Sequence, residues 1–214
     1  MLTKNDLEKW FEDLNRIIFD INISIDNIKR ITTTEEEYEK QIIKHGFFWH
    51  FYRQSRFTII VQLCKIFAEN NNQKRNLYKL FNRLTSDKYD SDIQQQLDKN
   101  KDIDRLFSSR TNVQNEITEI KTEISKHSDL IKKIVTLRDK YYAHSDPDSD
   151  LPKVSNADLE VLVKLAVKIY NKIRGGFFDI TFMFDSNADW KVDYPLKVLA
   201  AHRKEQLENL KKKT

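Results

Sequence analysis

Apolar residues recur along most of this chain at steps of three and four, the spacing of one face of an α-helix. Leu7, Phe11, Leu14, Ile18, Ile21, Ile25 and Ile28 do so without interruption, and predict a first helix over residues 5–30. Thr32, Thr33 and Thr34 then interrupt the pattern. Thr34 and Glu37 have capping-box spacing, so a second helix is expected to begin there and run to about residue 69, ending at three asparagines. From Phe47 onward its apolar residues cover most of the circumference, which marks a central helix or one that also serves a dimer interface. A short helix is expected over 73–84, and the polar stretch 85–101 reads as a loop with one helical turn. The helical pattern resumes at Ile103 and continues to Tyr142, with a kink near Ser128.

Asp146-Pro147 stops that helix, because the residue before proline is pushed out of the α region. Residues 149–153 read as a loop. Ser155 and Asp158 form a second capping-box start, for a helix ending at Gly175-Gly176. Phe178, Ile180, Phe182 and Phe184 alternate with polar or smaller residues, so a short extended segment is expected. Pro195 at a first helical position starts a last amphipathic helix to about residue 212. The expected fold is all-α: a helical domain over residues 1–176 and a C-terminal appendage over 177–214.

Composition supports long elements and few turns. There are 214 residues with only 3 Gly and 3 Pro, whereas β-rich folds of this size need more turn residues. The 13 Phe, 8 Tyr and 3 Trp supply buriable surface despite the 33% charged residues. A net charge of +4 is weak evidence for a nucleic-acid partner. The single cysteine, Cys64, lies in an apolar run and reads as a buried hydrophobe in a reducing compartment. The N-terminus has no signal-peptide core, and no run has the ~18 apolar residues that crossing a membrane needs, so a cytoplasmic protein is expected. No Gly-rich phosphate loop occurs, which argues against P-loop and Rossmann chemistry. His45, His127 and His202 have no partners at metal-ligand spacing, and neither a metal nor a cofactor is expected.

One stretch stands apart: Leu137-Arg138-Asp139-Lys140-Tyr141-Tyr142-Ala143-His144-Ser145-Asp146. The bare spacing of Arg138 and His144 carries little information; the fuller string and the aliphatic helix leading into it carry more. On these features, over roughly Leu7 to Gly175, the chain resembles the HEPN superfamily, and within it the abortive-infection branch typified by AbiU-type proteins. The resemblance implies a helical bundle that dimerises, with the Arg and His of both protomers in a shared cleft. It also implies a metal-independent endoribonuclease used in defence or as a toxin, with RNA as substrate and an antitoxin or other partner protein. Arg138 and His144 match the two hallmark positions, and Asp139 matches the polar residue that follows the arginine. One subset of the family carries, two residues past the histidine, a tyrosine that a nucleotidyltransferase modifies. Here that position is Asp146, so the resemblance does not extend to that control.

The chemistry has its own logic. Cleaving RNA without metal needs a base for the 2′-hydroxyl proton and an acid for the leaving 5′-oxygen. Histidine suits both roles and an arginine fork suits the developing phosphorane charge. One histidine per chain cannot easily serve both ends of an in-line attack, whereas two from a symmetric dimer can. In an ideal helix a six-residue step leaves Arg138 and His144 about 120° apart and ~9 Å along the axis, so arginine's reach, fraying before Pro147 or the partner chain must bring them together. A helix C-terminus would favour protonated His144. Asp139, Tyr142 and Asp146 are candidate supporting residues. His50, Arg53 and Arg56, at three-residue spacing, are candidate RNA-binding residues together with Lys140. Against these stand blander readings: Arg138 and His144 as helix-end polar residues, Asp146-Pro147-Asp148 as a turn, Tyr141 and Tyr142 as core or interface aromatics. A non-catalytic HEPN-like module that binds a nucleotide, RNA or a partner protein is the alternative function, and a purely structural helical protein is a third.

Overall fold

The computed structural model describes residues 1–69, 76–103, 105–143, 150–184 and 190–212, and the side chain of Ala143 is not among them. Among the described residues there are nine α-helices, one π-helical segment and no β-strand. The first helix, α1 (Lys4–Thr32), opens on a capping box in which the Thr3 hydroxyl accepts from the Asp6 N–H and the Asp6 carboxylate accepts from the Thr3 N–H. Every residue of the expected apolar stripe on α1 is buried, together with Trp10 and Ile31.

The expected single helix over 34–69 is two. Helix α2 (Glu37–Ile43) ends at Lys44, and α3 (Gly46–Phe67) restarts with His45 as its cap, the imidazole Nδ1 accepting from the Phe47 N–H. Gly46 is a poor helix former, and a side-chain cap beside it makes the break inexpensive. The cap of α2 is Glu36, which accepts from the Glu39 N–H at 2.7 Å; Thr34 donates instead to the Glu39 carboxylate. Helix α3 is central, packing on α1 and α2 and on three later helices, α4 (Leu77–Ser86), α7 (Ser128–Leu137) and α8 (Asn156–Phe178).

Helix α4 (Leu77–Ser86) is capped by Asn76, and residues 73–75 of its expected start lie outside the described residues. The expected loop at 85–101 is largely a helix, α5 (Ser91–Asp102), capped by Asp90. Its inward positions are Ile93, Leu97 and Asn100. The last of these is polar, which hid the periodicity. Asn100 is fully buried, and its amide donates to the carbonyls of Phe107, Gly176 and Phe177. Ile103 closes α5, so the next helix, α6 (Arg110–Ser125), starts seven residues later, on the Ser109 cap. The kink near Ser128 is a full break before α7 (Ser128–Leu137). The chain then passes into a π-helical segment over Arg138–Ala143.

Helix α8 (Asn156–Phe178) begins at the Ser155–Asp158 capping box and runs through both glycines instead of stopping at them. Asp179 ends it in the left-handed region at φ 58°. Gly176 permits close packing: a Cβ there would meet the Phe107 ring at 2.8 Å. The chain beyond forms no strand among the described residues. Its main chain instead pairs with a side chain of α8, Phe182 N–H donating to Asn171 Oδ1 at 3.0 Å and Asn171 Nδ2 donating to the Phe182 carbonyl at 3.1 Å. Asn22 donates to the Phe184 carbonyl, and Asn27 accepts from the Val192 N–H. The last helix, α9 (Asp193–Lys211), places Pro195 third rather than first, still within the turn whose N–H groups need no helical partner. Leu196 packs with Ile31, Phe48 and Val192 in a cluster apart from the main core. Arg30 holds this end together, pairing with Glu39 at 2.6 Å and Asp193 at 2.5 Å. The hydrogen bond from Arg30, joined by that from Thr34, holds the Glu39 carboxyl below its usual range against burial and the Asp193 charge. No described helix is long and apolar enough to cross a membrane.

The adjacent glycines of α8 are expected to respond oppositely to alanine. At Gly175 the nearest atoms to a new Cβ lie at 3.9 Å, so Gly175→Ala should stabilise by up to about 1 kcal/mol through helix propensity. Gly176→Ala must displace the Phe107 ring, itself edge-packed on Phe177 at 4.8 Å, and should destabilise by about 1–3 kcal/mol. Urea unfolding of both variants reads the sign; equal shifts would contradict this packing.

Candidate functional site

The motif of interest starts where α7 changes winding. Leu137 closes α7 and is buried, and Arg138 is the first residue of the π-helical segment. Such widened turns are rare and frequent at functional sites. Residues Arg138–Ala143 are therefore not wound as the ideal α-helix on which the expected separation of about 120° rests. The Arg138 guanidinium is folded onto its neighbour: Nε donates to Asp139 Oδ1 at 2.7 Å, and Nη2 reaches the same oxygen at 2.6 Å. This pair fixes the orientation of the guanidinium. His144 and Asp146 lie outside the described residues.

Beside this segment, α3, the π-helical segment and the start of α8 enclose an open cavity of about 740 Å³. Trp49, Tyr52, Arg53 and Arg56 line it from α3. Leu137, Tyr141 and Tyr142 line a second wall, and residues 151–155 a third. Arg53, Arg56 and Tyr142 of the sequence-based candidates meet here. Arg138, Asp139, Lys140 and His50 are not among the lining residues.

Helix geometry explains both the success and the omission. Positions 49, 52, 53 and 56 step by three, one and three, and so share a single face. Following three-residue spacing from His50 selected two residues of that face and one beside it; His50 is exposed. The i, i+3, i+4, i+7 pattern from Trp49 was the signal that would have recovered Trp49 and Tyr52. Lys153 and Ser155 carried no such signal, because only the packing of α8 on α3 brings them near.

The cavity is aromatic and cationic. Trp49 stacks on Tyr52 at 5.5 Å with 13° between the rings, and Tyr142 sits edge-on to Tyr141 and Phe57. Arg56 is fixed by two neutral partners, donating to Asn156 Oδ1 at 2.7 Å and to the Val154 carbonyl. The Tyr52 hydroxyl shares that Asn156 oxygen. Among the described residues, Arg53 has only a long 3.5 Å contact to the Tyr141 hydroxyl, and Lys153 makes no ion pair. Burial pushes the Tyr142 hydroxyl up from its usual value, against the opposing pull of Arg56 and Arg53. Among the described residues the lining includes no carboxylate.

The described bundle is all-helical, as HEPN domains are. A family model described as AbiU2 matches residues 4–189, and the chain belongs to this AbiU2 family of HEPN domains. No curated protein and no solved structure matches it.

Cys64, on α3, is fully buried within reach of the Arg138 and Asp139 charges. Burial, the largest influence, pushes its thiol up to about 12 from an ordinary 9.0. A folded value above the unfolded one means that this contribution to stability is complete below about pH 9 and lost as pH rises toward 12. Native protein at pH 8 should therefore resist a thiol-reactive disulfide reagent that modifies the urea-unfolded chain at once. Its stability should fall above pH 9 with a slope that Cys64→Ala reduces by about 1.4 kcal/mol per pH unit. Rapid labelling of the native thiol would show the site to be open.

Proposed function

We propose that this protein is a metal-independent endoribonuclease of HEPN type, acting as a dimer in which Arg138 and His144 of each protomer share a cleft. Its role is that of a defence, abortive-infection or toxin effector. The observation that carries the reading is the Arg138 fork, held by Asp139 at the start of a π-helical turn within the family's motif. Arginine presents paired donors to a phosphate, and in the reaction these meet the charge that grows on the non-bridging oxygens. One histidine takes the 2′-hydroxyl proton while the histidine of the second protomer protonates the departing 5′-oxygen. Asp139 releases or shares the guanidinium as the phosphate arrives.

The cavity on α3 favours a second reading, because its cations and aromatics stand on residues other than Arg138. In that reading the chain is a non-catalytic HEPN-like module that binds a nucleotide, RNA or a partner protein.

Cleavage of a mixed RNA set, total tRNA included, in the presence of EDTA distinguishes the two. Wild type should cut and leave 2′,3′-cyclic phosphate ends. His144→Ala and Arg138→Ala, each shown by light scattering to be a dimer, should lose about 10²- to 10⁴-fold in rate. Wild-type dimers that leave every RNA intact would remove the catalytic reading and retain the binding module.

A further inference from the structure

We infer that the cavity walled by α3, the π-helical segment and the start of α8 is a nucleotide subsite that takes one base and one phosphate of a single-stranded RNA. The inference deepens the ribonuclease reading and rests on it only for the word RNA; the site itself stands on its own geometry.

Three features define the ligand. The first is a platform. Trp49 lies with one ring face on Tyr52 while 61% of the residue remains exposed. An indole this open is an uncommon surface element, and its free face suits a planar aromatic group such as a nucleobase. The second is charge. Arg53 and Lys153 reach the cavity from α3 and from the segment before α8, and neither is paired with a carboxylate among the described residues. Nearby Asp158 is already engaged, accepting from both the N–H and the hydroxyl of Ser155. The third is rigidity. Arg56 is tied to Asn156 and Val154, so it braces the wall and adds positive potential without closing the opening.

A volume of about 740 Å³ falls inside the range of roughly 300 to 1,000 Å³ typical of small-ligand sites. A bare phosphate would leave the platform unused, and an oligoglutamate peptide has no aromatic ring to stack on it. A nucleoside monophosphate unit uses both parts.

Calorimetric titration of the full chain with AMP, adenosine, inorganic phosphate and an oligoglutamate peptide tests the assignment. AMP should bind saturably and more tightly than adenosine or phosphate. Trp49→Ala should weaken AMP and adenosine by about tenfold and leave phosphate unchanged. Arg53→Gln combined with Lys153→Gln should weaken AMP and phosphate and leave adenosine unchanged. All three residues are exposed, and circular dichroism melts should show the fold intact. The assignment is overturned if AMP fails to saturate at millimolar concentration, if it binds no better than phosphate, if the variants keep wild-type affinity, or if oligoglutamate displaces it. Cleavage of RNA without this binding would remove the subsite and leave the ribonuclease; binding without cleavage would do the reverse.

Discussion

Burial of the apolar stripe of α1 is the constraint from which the rest of the architecture follows. A 29-residue helix with a line of Leu, Ile, Phe and Trp along it cannot stand in water by itself. Helix α3 covers most of it and α8 covers the remainder, which sets those two helices side by side. That juxtaposition creates the cavity, since one wall belongs to α3 and another to the segment leading into α8. A truncated α1 would thus remove the reason for the two cationic walls to face each other.

Asparagine performs a second structural task. Asn22, Asn27, Asn100 and Asn171 each bond to main-chain groups far away in sequence or outside a helix. A helical bundle leaves carbonyl and N–H groups of its connecting segments unpaired, and burying them unpaired costs about 1–3 kcal/mol each. A carboxamide offers both a donor and an acceptor without charge, so it satisfies them, inside the core at Asn22, Asn27 and Asn100 and at its edge at Asn171. This is how the chain after α8 is held against α1 without forming a sheet.

The chemistry-bearing segment combines two opposing demands. Arg138 must keep its charge close to the apolar interior beside Cys64, and Asp139 makes that tolerable by pairing with it. The π-helical turn widens the backbone at that point and presents Tyr141 and Tyr142 toward α3, where Phe57 and the arginines meet them. On the proposed reading, the paired arginine serves phosphodiester chemistry, and the aromatic and cationic cavity next to it holds the substrate.

Wherever side-chain type alone decided the outcome, the sequence was sufficient. The heptad-like stripe of α1, the Ser155–Asp158 cap and the scarcity of turn residues determined an all-helical chain, because each is a local property of three to thirty neighbouring residues. Only the tertiary structure decided that Asn100 fills an apolar position in α5 and that Gly176 continues α8 under Phe107. Both depend on a partner distant in sequence. The Arg138-Asp139 string was legible as a motif, but its π-helical winding was not, since α and π turns differ by one hydrogen-bond register that no side-chain spacing announces. Lys153 joins Arg53 and Trp49 for the same reason: α8 must pack on α3 before residues a hundred positions apart can share one charge field.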